Sequence, residues 1–202
     1  MDILLSILLI IGSYLYGSIP FALVIGKLFY NIDIRSQGSG NLGGTNAGRV
    51  LGSKAGAAVI VLDTSKCFIS VMIAKLFIHY FGVNPNMIYL AALSCIIGHC
   101  YPIFAQFKGG KAVSVTFGYI LATNLVAFLI SIAIFLIILK VTKYVSLSSI
   151  LSTTLFVLIS PFVGYTTIGV IANLVMTALL IYKHRENIVR IKNGTENKIR
   201  WM

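Results

Sequence analysis

Residues 112–139 read AVSVTFGYILATNLVAFLISIAIFLIIL, and the fold turns on how this stretch crosses a membrane. A helix needs about 20 apolar residues to traverse ~30 Å of hydrocarbon. These 28 residues are too many for one straight crossing and too few for two full ones, although thin or partly broken helices accommodate two. Working outward, further apolar stretches occupy 1–29, 55–80, 86–105, 144–162 and 164–182. Dividing the quoted stretch into 112–124 and 125–139 gives seven spans, and leaving it whole gives six.

Charge chooses between the two counts. Cytoplasmic loops of membrane proteins collect Lys and Arg. With seven spans and the N-terminus outside, fourteen of the 16 basic residues fall on inner segments; Lys66 lies inside the second span and Lys75 near an outer loop. Six spans would place Lys140, Lys143 and the basic tail outside. The sequence therefore predicts an all-α, polytopic integral membrane protein of about seven transmembrane helices. Its N-terminus is expected outside and its C-terminus in the cytoplasm, with one transmembrane domain over residues 1–202.

Composition points the same way. With 58% hydrophobic and 10% charged residues and a mean hydropathy of +0.95, the chain has more apolar surface than a 202-residue soluble globule can bury. Disorder, collagen and a disulfide scaffold are excluded as well, and Cys67, Cys95 and Cys100, an odd number in apolar sequence, are expected to be buried free thiols. The first apolar run lacks a basic start and an Ala-x-Ala-like exit, so it reads as a retained span. Pro20 and Pro161 are expected to kink or stop their spans. The net charge of +11 reads as topology and as attraction for anionic head groups and phosphorylated metabolites, not as a nucleic-acid partner.

Three polar islands fall on the inner side. The first runs from Asp33 to Arg49 and carries four glycines between Gly38 and Gly44. Glycines so spaced let successive backbone N–H groups turn toward one concave point suited to an anion. Ser39, Asn41, Thr45 and Asn46 add donors, and Arg49 adds a planar fork matched to phosphate. A plain inter-helix loop is the alternative. The glycines fit G-x-G-x-x-G, but no strand precedes them, and Gly44 stands where a P-loop needs lysine.

The second island, Gly98 to Lys111, ends in Gly109 and Gly110 between Lys108 and Lys111, a second anion contact unless the lysines are only topology markers. His99 beside Cys95 and Cys100 has no neighbouring carboxylate or second histidine in sequence, so a buried, hydrogen-bonded histidine is expected rather than a metal ligand. In the third island, Tyr182 to Glu196, the residues His184, Asn187 and Ile191 share one helical face; a basic amphipathic tail on anionic lipid is the alternative. Asp63 and Lys66, one turn apart in the second span, are expected to pair.

Taken together, Gly17-Ser18-Ile19-Pro20, Gly38-Ser39-Gly40-Asn41 through Thr45-Asn46 and Arg49, Asp63 with Lys66, Gly98-His99 with Pro102, Gly109-Gly110-Lys111 and His184-Arg185-Glu186-Asn187 resemble the bacterial glycerol-3-phosphate acyltransferases that use acyl-phosphate, the PlsY family. The likeness covers essentially the whole chain. Departures are Gly44, where the family usually has alanine, and Cys67 and Ala112, where it usually has glycine.

The resemblance implies transfer of a fatty acyl group from acyl-phosphate to the 1-hydroxyl of sn-glycerol 3-phosphate, giving lysophosphatidic acid and phosphate, the first step of phospholipid synthesis. It implies catalytic roles for Ser39, Arg49, Lys111, His184 and Asn187. Phosphate binding would fall to these together with Gly38, Gly40, Asn41, Gly43, Thr45, Asn46, Gly109 and Gly110. No metal or cofactor is expected. The partners are the two substrates and membrane lipid, with a monomer compatible, in a bacterial plasma (inner) membrane with the active site on the cytoplasmic face. None of the three histidines has an aspartate five residues later, so the His-x4-Asp apparatus of thioester-dependent acyltransferases is missing. A transporter or channel for a phosphorylated solute is the competing reading.

Overall fold

The computed structural model describes residues 2–199, and every regular element among them is helical. The chain forms two compact units that divide between Ala122 and Thr123.

In the first unit, α1 (Asp2–Gly17) and α2 (Phe21–Tyr30) are bent by 41° across the break at Pro20, as proline's missing N–H requires. A short helix, α3 (Gly44–Leu51), leads into the long α4 (Ser53–Phe81), then α5 (Met87–Cys100) and α6 (Val113–Thr123). Small residues let the backbones of α1 and α5 touch: a Cβ at Gly17 would run into the Cys95 backbone, and one at Gly98 into the Tyr14 carbonyl. A buried apolar cluster under the first island includes Ala22, Leu23, Ala47, Leu51, Val59 and the loop residues Ile34 and Leu42. Those two side chains pin a glycine-rich segment that would otherwise have little to hold it.

The second unit contains α7 (Leu125–Thr142), α8 (Val145–Ile159), α9 (Thr167–Lys183) and α10 (Arg185–Lys192). The stretch 112–139 is two helices, separated at Asn124. That residue caps α7, accepting from the Ala127 N–H at 2.8 Å, and its amide donates to the Val163 carbonyl at 2.7 Å.

By length and composition, Ser53–Phe81, Met87–Ala105, Leu125–Thr142 and Val145–Val163 can each cross a membrane. Counting the bent pairs α1–α2 and α9–α10 as one span each gives up to six. The seventh predicted span falls on α6, whose 11 residues rise only about 16 Å. Lys75 donates to the Ala122 carbonyl at 2.6 Å, so the one basic residue expected near an outer loop neutralises a helix C-terminus. Cys67, Cys95 and Cys100 are free and buried, as expected.

Candidate active site

The first island is braced from within. Asp33 caps the turn that follows it, accepting from the Arg35 N–H at 3.1 Å and from the Arg35 guanidinium at 2.6 and 3.0 Å. That guanidinium holds the Asp33 carboxyl well below the usual carboxylate range. Gly38 and Gly40 adopt φ of 59° and 68°, a region that side-chain-bearing residues enter only at a cost. Between them, Ser39 donates its backbone N–H to Asn46 Oδ1 at 2.8 Å, and Asn46 Nδ2 donates to the Gln37 carbonyl at 3.1 Å. Asn46 is buried and a Cβ at Gly38 would strike its Oδ1. Its side chain therefore shapes the loop, while Ser39, Thr45 and Arg49 are exposed. Thr45 and Arg49 stand one turn apart on α3.

The second island folds against the end of α5. The Gly110 N–H donates to the His99 carbonyl at 3.0 Å. A Cβ at Gly109 would run into that carbonyl, and one at Gly110 into the His99 ring, so neither position has room for a side chain. Asn41 Nδ2 donates to the Gly109 carbonyl at 3.3 Å, which brings the first two islands together. Beneath them Lys66 Nζ lies 2.7 Å from Asp63 Oδ1, with His99 Nδ1 3.7 Å from the same oxygen and the Phe21 ring 4.8 Å from the ammonium. The expected Asp63–Lys66 pair is thus present, and His99 is buried beside it. Pro20, Leu42, Lys66, His99, Gly109 and Gly110 line one small cleft. Lys111, half-buried, follows directly.

Two of the three departures have local accounts. A Cβ at Gly44 would meet the Ile60 side chain, so glycine here makes room for isoleucine. Ala112 is buried with φ of 67°, where an L-residue costs about 1–2 kcal/mol. Ala112→Gly is expected to stabilise the protein by about 1 kcal/mol. Such a gain raises the unfolding midpoint by about 2–4 °C. An unchanged or lower midpoint in a detergent melt would remove this reading of Ala112. Nothing in the structure explains cysteine over glycine at 67, beyond a weak contact of its thiol with the Ala92 carbonyl at 3.7 Å.

The third island belongs to the second unit. His184 sits at the 55° bend between α9 and α10 and is buried. Its Nδ1 lies 2.8 Å from the Leu180 carbonyl. A carbonyl only accepts, so Nδ1 carries a proton, and in the neutral form of the ring the lone pair lies on Nε2. Asn187 is buried, and its Nδ2 donates to Glu196 Oε1 at 2.6 Å.

Glu196, to which the sequence assigned no role, also accepts from Ser146 at 2.7 Å and from Arg190 Nε at 2.8 Å. Its signal was scarcity: it is one of only five acidic residues in a chain of charge +11. The tail continues back along α8, with the Ile199 N–H donating to the Lys143 carbonyl at 2.9 Å.

Burial works to raise the Glu196 carboxyl, but hydrogen bonds from Asn187, Ser146 and Arg190, with the Arg190 charge, more than offset it and hold it below its ordinary 4.5. A depressed carboxyl stabilises the fold above its unfolded value, and that contribution disappears as pH falls through the folded value. Melts of the wild type are therefore expected to lose stability below about pH 4.5, with Glu196→Gln less stable at pH 7 and flatter in acid. Parallel pH profiles would show that this cluster is not coupled to folding.

These features define an α-helical, multi-pass membrane protein with a braced, glycine-rich cationic site. A sequence model of the family described as glycerol-3-phosphate acyltransferase matches residues 7–194. The glycerol-3-phosphate acyltransferase of Geobacillus kaustophilus is 44% identical over 197 residues, covering 98% of each chain. That of Bacillus subtilis is 45% identical over 199 residues, 98% of this chain and 100% of the relative. Among solved structures, PlsY, an integral membrane glycerol 3-phosphate acyltransferase, superposes in its glycerol 3-phosphate form with a TM-score of 0.90 at 39% identity, over 96% of each chain. Its lysophosphatidic acid form gives 0.88 at 38% identity, over 96% of this chain and 95% of that one. The chain belongs to the glycerol-3-phosphate acyltransferase family.

Proposed function

We propose that this protein moves a fatty acyl group from acyl-phosphate to the 1-hydroxyl of sn-glycerol 3-phosphate, releasing phosphate and lysophosphatidic acid. The observation that carries the proposal is the junction of the two glycine-rich islands through Asn41 and the Gly109 carbonyl, with Lys111 directly after it. Related structures are described in glycerol 3-phosphate and lysophosphatidic acid forms, which fits these substrates.

The chemistry follows from the donor. In a carboxylic–phosphoric mixed anhydride the leaving group is already good, so orientation and charge neutralisation dominate. The glycerol O1 attacks the acyl carbon, a C–O ester bond forms, and the bond from that carbon to the phosphate oxygen breaks. Lys111 and Arg49 offset phosphate charge, and the loop carrying Gly38, Ser39, Gly40, Asn41, Gly43, Thr45 and Asn46 supplies and shapes the donors around it. Asn187 or loop amides face the developing oxyanion. The proton leaves to His184 Nε2 or to a phosphate oxygen of the substrate, and a folded His184→Ala variant separates these routes. A kcat loss of several orders of magnitude at unchanged KM would exclude the substrate as base.

The reaction takes place on the cytoplasmic face of a bacterial plasma membrane, in one catalytic domain of seven spans with the N-terminus outside. Purified protein should release phosphate from hexadecanoyl-phosphate only when glycerol 3-phosphate is present, and should be inert with hexadecanoyl-CoA. Release without the acceptor, or acylation from the thioester, would contradict the donor assignment. Solute flux in vesicles without chemistry would favour the transporter.

A further inference from the structure

We propose that His99 is a positioning residue: its ring and its carbonyl form a bed on which Gly109 and Gly110 lie, and that bed sets where Lys111 meets phosphate; this rests on the acyltransferase reading above. Neither glycine has a positive φ, so the backbone at both positions would accept a side chain. The obstacle is His99. A Cβ at Gly110 would meet Nε2, Cε1 and Cδ2 of its ring, and one at Gly109 would meet its carbonyl and the Pro102 ring. The Gly110 N–H donates to the same carbonyl at 3.0 Å. One residue therefore fixes both the seat of the glycine pair and the direction in which the chain leaves it for Lys111.

The bed has no room to retreat. Behind the ring, Nδ1 lies 3.7 Å from Asp63 Oδ1, and that oxygen is 2.7 Å from Lys66 Nζ, with all three side chains almost wholly enclosed. At its base the preceding residue is wedged against α1: a Cβ at Gly98 would run into the Tyr14 carbonyl and crowd Ser18. The Tyr14 hydroxyl donates to the Tyr101 carbonyl at 3.0 Å, tying the same turn to α1 from the other side. Close-packed surroundings pass a displacement on instead of absorbing it. A misplacement of about 1 Å costs about 10²-fold in rate, so a rigid bed one residue before a phosphate-facing cation bears on catalysis through that cation. The buried Asp63–Lys66 pair gains a purpose on the same grounds, as the backstop of the ring.

The test removes the contact from either side. Gly110→Ala adds the methyl that the ring excludes; His99→Asn deletes Nε2 and Cε1, the two atoms nearest that methyl, and can set its amide nitrogen where Nδ1 faces Asp63. Kinetics with hexadecanoyl-phosphate and glycerol 3-phosphate, on variants whose melts show a folded protein, should give losses in kcat/KM of about 30-fold or more for Gly110→Ala and about tenfold or more for His99→Asn. The double variant should stay within about threefold of His99→Asn, because the methyl then enters vacated space. In a Lys111→Met background His99→Asn should likewise cost less than about threefold, since the group it positions is gone. Losses that multiply in either double variant overturn the proposal, leaving His99 to act on substrate by itself or on the fold alone. Gly110→Ala within about threefold of wild type overturns it as well, and needs no substitution at His99 to fold. Either failure on an active wild type leaves the acyltransferase reading intact, whereas a wild type inactive with acyl-phosphates of every length sinks that reading and this proposal with it.

Discussion

Lys111→Met is expected to lower kcat/KM by about 10²–10³-fold while the protein still folds and extracts as the wild type does, the usual cost of removing one preorganised electrostatic group. The lysine directly follows a glycine pair that has almost no freedom to move. Gly110 is bonded to the His99 carbonyl, Gly109 to Asn41, and neither has space for a side chain. In the proposed reaction the charge on the departing phosphate grows as the anhydride bond breaks, so the loss should appear in kcat as well as KM. Lys111→Arg should restore little, since a planar fork replaces a compact ammonium next to a tightly packed backbone. Steady-state kinetics on the purified variants provide the check. Activity within threefold of wild type would remove Lys111 from the chemistry.

The second large effect is on folding. Asp63 and Lys66 face each other at 2.7 Å with their side chains almost wholly enclosed. Removing one charge leaves the other buried without its partner, which costs about 3–5 kcal/mol. Lys66→Met and Asp63→Leu should each sharply lower the thermal midpoint, and the double variant should recover much of that loss. The coupling distinguishes a true pair from two independently tolerated charges. Additive losses would show that Asp63 depends chiefly on His99, 3.7 Å away.

Much of this architecture could be read directly. Hydropathy located the helical stretches because bilayer thickness imposes a length that a single sequence displays. The break at Asn124 was legible too, since 28 apolar residues fit one crossing poorly and asparagine is a good cap. The span count was less accessible. It depends on whether the 11 residues of α6 and the two bent pairs cross the membrane, and composition does not encode bending.

Within the site, spacing exposed the glycines and cations but not the division of labour among them. Asn46 looked like one more donor, yet its amide is spent inside the loop, on the Ser39 N–H and the Gln37 carbonyl. Glu196 escaped notice because its partners Ser146 and Asn187 lie 50 and 9 residues away. The cost of Ala112 lies in a backbone angle that the residue type alone does not reveal.

The proposed reaction requires the three polar islands to share one side of the membrane. Gln37, Lys108 and Arg185 are exposed neighbours of those islands, and the native cysteines are buried. Single cysteines at these positions, probed in intact cells and in inverted vesicles with a membrane-impermeant maleimide, measure that directly. All three should label only from the cytoplasmic side; labelling of any one of them only from outside would contradict the account.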